Sequence, residues 1–151
     1  MLYEKLLEKA CAEGLIVKEK PLQYNNGRIK GNRIAIRQDM ETSIDKLCVL
    51  SEELGHHYTT VGDILDQSNA DNRKQELRAR SWAYDHLVGL QGIIDAYLCG
   101  CRNRYEIAEH LEVTEQFLED AINRYKGKYG LYKKIGKYMI IFEPLGVFEW
   151  K

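Results

Sequence analysis

Two carboxylates and two imidazoles crowd into one short stretch, Glu52-Glu53-Leu54-Gly55-His56-His57. On a helix, residues four apart share a face, so Glu52 and His56 can grip one metal ion while Glu53 lies beside it. This is the spacing of the HExxH zinc helix, with glutamate standing where the first histidine is expected. Carboxylate oxygen is an accepted zinc ligand alongside imidazole nitrogen, so a Glu52/His56 pair stays chemically competent, with Glu53 as general base toward a water. His57 is an alternative ligand to His56. The same residues also suit an ordinary surface helix, in which an acid four residues before a histidine is a weakly stabilising pair.

A helix must carry this stretch, and the apolar periodicity from about Ile44 to Tyr58 provides one, with Thr42 or Ser43 as its cap. At about 100° per residue, Ile44, Leu47, Cys48, Ser51, Gly55 and Tyr58 form one broad stripe, with Glu52 and His56 along its margin. Gly55 costs about 1 kcal/mol of helix propensity relative to alanine, which points to close approach by another backbone. A second helix begins near Asp71, Asn72 and Gln75 and places Glu76 on the stripe of Ala79, Ala83, Leu87 and Leu90. A carboxylate on a small-residue packing face needs a cation, a hydrogen-bond network or a metal. Arg78 or Arg80, on the same helix, could supply that cation if the helix end is exposed. In the segment between the helices, Asp63 is a candidate to orient His56 or His57, since ligating histidines usually donate their other N–H to a carboxylate.

Glu52-Glu53-Leu54-Gly55-His56, followed by Glu76-x-x-Ala79-x-x-Trp82-Ala83, resembles the ImmA/IrrE family of small zinc metallopeptidases over roughly residues 28–90. In that family an HExxH helix precedes a second helix of pattern ExxAxxFA that supplies a glutamate ligand. The resemblance implies His56 and Glu76 as zinc ligands, Glu53 as the base, and a helix-turn-helix repressor of a prophage or mobile element as substrate or partner. Position 52 departs from the pattern. Two carboxylates and one imidazole would lower the net charge at a Zn2+ ion and raise the pKa of its bound water, which bears on activity more than on fold. The expected function is therefore a zinc-dependent endopeptidase that cleaves such a repressor; the alternative is a non-catalytic docking module on the same fold with a degenerate metal site.

The rest of the chain reads as support. Leu2, Leu6, Leu7, Ala10 and Cys11 recur at helical steps, and Gly14 ends that helix. Arg28 to Arg37 alternates around Gly31-Asn32 as a β-hairpin, a candidate edge for pairing with a substrate peptide. Residues 105–118 have the rhythm of helix-turn-helix, with a tight turn at Glu112-Val113 and a second helix capped by Thr114. Glu115, Glu119 and Asp120 on that second helix would repel phosphates, so direct DNA binding is not expected. A terminal hairpin turns at Gly136-Lys137.

At 151 residues and 44% hydrophobic composition, one domain with a true core is expected. Its fold class is α+β: a zincin-like core over about 20–90, a helical extension over about 93–126 and the hairpin over about 129–151. The net charge of −1 gives no global reason for a nucleic-acid or membrane partner. The N-terminus lacks the apolar run of a secretory signal, and nothing approaches the ~18 apolar residues of a membrane span. Cys11, Cys48, Cys99 and Cys101 make no disulfide framework, so a cytoplasmic protein with reduced thiols is expected.

Overall fold

The computed structural model describes residues 2–59 and 69–150. It is a mixed α+β chain whose contacts fall into two compact units, Met1–Ala83 and Tyr84–Lys151. The division lies within one helix, a few residues before the end of the core drawn from the sequence.

In the first unit, α1 (Leu2–Ala12) buries Tyr3, Leu6 and Ala10. It stops as expected at Gly14, whose φ of 85° is the left-handed conformation that glycine adopts at no steric cost. There Gly14 N donates to Cys11 O and Leu15 N to Ala10 O, both at 3.0 Å, the paired bonds of a Schellman ending. A small sheet follows in the order β1 (Ile16–Lys20), β3 (Arg33–Arg37), β2 (Gly27–Lys30). The β2–β3 hairpin is as read from the alternation, with Ile29 opposite Ile34. Strand β1 is an addition: it runs parallel to β3, with Ile16 opposite Arg33 and Lys20 opposite Arg37. Its one-sided alternation carries too little apolar signal to stand out. The Arg37 guanidinium fixes the loop between β1 and β2, donating to Leu22 O at 2.9 Å, Gln23 O at 2.7 Å and Asn26 Oδ1 at 3.2 Å.

Helix α2 (Ser43–Thr59) packs on the sheet face that presents Ile34 and Ile36, and α1 packs on α2. Thr42 caps it, its hydroxyl accepting from Asp45 N at 3.1 Å. The buried set of α2 is wider than the predicted stripe. Leu50 and Leu54 join Leu47, Cys48, Ser51 and Gly55, whereas Tyr58 is 39% exposed. Packing of α2 on more than one side explains the difference, because a single stripe describes a helix with one neighbour. Helix α3 (Asn69–Leu87) starts slightly earlier than the sequence reading and buries Ala79 and Ala83 completely.

The second unit continues from the end of α3 into α4 (Gly89–Leu98), α5 (Arg104–Leu111) and α6 (Glu115–Tyr129). Asn103 caps α5 and Thr114 caps α6, through Glu106 N at 2.9 Å and Phe117 N at 3.0 Å. The tight turn falls at Glu112, which adopts a left-handed φ of 58°. In place of the predicted two-stranded hairpin, the end is a three-stranded meander of β4 (Tyr132–Ile135), β5 (Tyr138–Phe142) and β6 (Leu145–Glu149). Ile93, Ile94, Leu118, Ile122, Ile140 and Phe142 form its core. The four cysteines are free thiols. Among the described residues no helix is long and apolar enough to cross a membrane.

Candidate functional site

The glycine in the motif sets the site. Gly55 lies against the backbone of Ala79, so close that a Cβ would overlap the Ala79 carbonyl oxygen. The close approach inferred from a mid-helix glycine is therefore present, and its partner is α3. This contact places the end of α2, with His56, beside the start of α3, with Glu76.

His56 Nε2 lies 3.2 Å from Glu76 Oε2, and the side chains are 16% and 46% exposed. The half-exposure of Glu76 corrects the picture of a carboxylate enclosed on a packing face, although Ala79 and Ala83 of that stripe are fully buried. Arg80, one turn on, brings its Nε within 3.7 Å of the other carboxylate oxygen. The hydrogen bond to Glu76 raises the His56 pKa against the opposing effect of burial, and the same bond lowers that of Glu76.

Glu53 sits in the same group of charges. Burial pushes its carboxyl up to about 7; His56 opposes the shift, and the negative fields of Glu52 and Glu76 add to it. A carboxyl poised near neutrality is suited to exchange protons with a reacting group. Its other neighbour was not foreseen: a Cβ built on Gly27, the first residue of β2, would lie 2.6 Å from Val49 Cγ1 and 2.9 Å from Glu53 Oε1. The glycine thus lets an edge strand pass directly against the base. Nothing local to Gly27 in the sequence points to this, and only the fold reveals what its missing side chain makes room for.

Glu52, His56, Glu53 and Glu76 are thus brought into one electrostatic neighbourhood. His57 is not: it is exposed and meets the Tyr58 ring edge-on, with centroids 5.0 Å apart. Asp63 lies outside the described residues. As a test for zinc, two ligand atoms each ~2.0–2.1 Å from a tetrahedral ion stand about 3.3 Å apart. The His56–Glu76 separation fits that spacing. Among the described residues, however, no three His, Cys, Asp or Glu side chains converge as a group able to hold an ion. The fit is to two donors, with Glu52, one turn before His56, as the remaining candidate on the same helix.

No family model, no curated protein and no solved structure matches this chain.

Proposed function

We propose that the α2–α3 site hydrolyses peptide bonds, making the chain a cytoplasmic zinc-dependent endopeptidase of the ImmA/IrrE kind. Its substrate in this reading is a helix-turn-helix repressor of a prophage or mobile element. The observation that carries the proposal is the His56–Glu76 pair at 3.2 Å, spaced as two ligands of one ion, with the proton-poised Glu53 in the same cluster. Zinc held by His56 and Glu76, with Glu52 as the third donor, would supply a Lewis acid for carbonyl addition.

The chain's own residues do the remainder. Glu53 takes a proton from the attacking water and passes it to the amine nitrogen of the leaving peptide. Strand β2 is an edge of its sheet, so its outer backbone groups are available to align an extended substrate in front of Glu53. Gly27 keeps that edge close to the base. Arg80 lies near the second oxygen of Glu76 and favours its charged form.

One observation favours a second reading. His56 and Glu76 already satisfy each other directly, as a stable pair would in a docking module that binds the repressor without cutting it. The two readings separate when the chain is co-expressed with a candidate helix-turn-helix repressor and repressor fragments are measured by mass spectrometry. Cleavage by the parent and none by Glu53→Gln, with repressor binding retained, supports hydrolysis. Relief of repression by Glu53→Gln equal to that by the parent leaves only the docking reading.

A further inference from the structure

The sheet of the first unit has a second face, turned away from α2. Alternation along the strands places Lys18 and Lys20 of β1, Arg33 of β3, and Arg28 and Lys30 of β2 on it together. All five are exposed, and none forms an ion pair among the described residues. The acidic residue of these strands, Glu19, falls on the opposite face and pairs with Lys46 of α2. A chain of net charge −1 thus concentrates positive charge on one small surface.

The surface is concave. Ala35 lies at its centre, opposite Lys18 on one side and Arg28 on the other. Because the central side chain is a single methyl while its flanks are long cations, a trough of about 370 Å³ forms along β3. Ile16, Leu22 and Ala35 give it an apolar floor.

We infer that this trough is a docking site for an extended, acidic segment of a protein partner. Three features select that occupant. An extended peptide repeats every second residue at about 6.6–6.8 Å, the spacing of Lys18 from Lys20 and of Arg28 from Lys30 along their strands, so alternate carboxylates meet successive cations in register. Arginine forks bind carboxylates in two-point fashion, and the apolar floor suits the methylenes of acidic side chains. A nucleic acid fits less well: no aromatic side chain lines the trough for base stacking, and a duplex is too wide to enter it. The inference is independent of hydrolysis at the α2–α3 site, which lies across the sheet.

The test is fluorescence anisotropy with four labelled probes: a short peptide of alternating glutamate and threonine, its lysine–threonine counterpart, a single-stranded oligonucleotide and a DNA duplex. The acidic peptide should bind best and weaken with salt. Lys18→Glu/Arg28→Glu should reduce its affinity by at least about tenfold, equivalent to about 1.4 kcal/mol. Ala35→Phe, which fills the trough without changing charge, should do the same, with circular dichroism showing that each variant is folded. Absence of binding to the acidic peptide, tighter binding of either oligonucleotide, or indifference to both variants would overturn the inference.

Discussion

Gly55 of α2 and the carbonyl of Ala79 of α3 are in direct contact, with no room between them for a side chain. The α2–α3 site depends on that contact, because it sets the reach from His56 to Glu76. Gly55→Ala must part the helices or distort one of them. Overpacking of this kind costs about 3 kcal/mol when the obstacle is backbone, which cannot swing aside. Denaturant unfolding should show that loss. Unchanged stability would mean that the helices separate freely and that the site is not held by this contact.

Glu53 makes stability depend on pH in a defined direction. Its carboxyl is raised from 4.5 to about 7 in the folded chain, so the folded state holds that proton more tightly than the unfolded state does. Stability is therefore full below about pH 4 and falls as pH rises through the window up to about 7, by on the order of 3 kcal/mol. Glu53→Gln removes the loss. In metal-free buffer the variant should exceed the parent in stability at about pH 8 and match it at about pH 4, as read by chemical denaturation. An equal difference at both values would show that folding does not raise the Glu53 carboxyl.

Zinc content distinguishes the ligands. Protein prepared without a metal-affinity tag should carry about one zinc per chain. Glu76→Ala and His56→Ala should lose it, and His57→Ala should keep it, since His57 is exposed and outside the cluster. Elemental analysis gives the answer. A parent that stays metal-free when zinc is offered would favour the docking reading.

The turn between α5 and α6 offers a gain. Glu112 is the one non-glycine residue with positive φ among the described residues. Its side chain crowds the backbone there at a cost of about 1 kcal/mol, which glycine does not incur. Glu112→Gly should raise the stability of the second unit by about that amount in a denaturant titration. A decrease would show that the Glu112 side chain contributes more than its backbone strain removes.

What could be read from the sequence was local. Gly14, Thr42 and Thr114 mark helix ends because the residues that satisfy terminal N–H and C=O groups stand next to them in the chain. Gly55 signalled a close neighbour because a glycine inside a helix needs a reason, although Ala79 as that neighbour could not be named. The hairpin around Gly31-Asn32 was legible for the same local cause.

The missing parts depend on distant partners. Strand β1 gains its place from parallel pairing with β3, and β6 gains its place from pairing with β5. Leu50 and Leu54 were missed because more than one neighbour covers α2. At the site, spacing grouped Glu52, Glu53 and His56, and the resemblance implied that Glu76 joins them. Arg80 as a neighbour of Glu76 was also within reach of the sequence, because the two stand one turn apart on one helix; the exposure of Glu76 and the passage of Gly27 beside Glu53 were not, since each is set by how separate elements meet.

The parallel pairing of β1 with β3 also carries a kinetic meaning. Strands β2 and β3 meet across a tight turn, whereas Ile16 must find Arg33 with the loop after β1 and strand β2 between them. Loop closure before pairing makes such a contact slow to form relative to the hairpin. The hairpin is accordingly the early piece and β1 the late one. Lys18 and Lys20 supply one wall of the cationic trough, so that surface is assembled only in the last step of sheet formation. A partner that recognises it would discriminate the finished fold from its precursors.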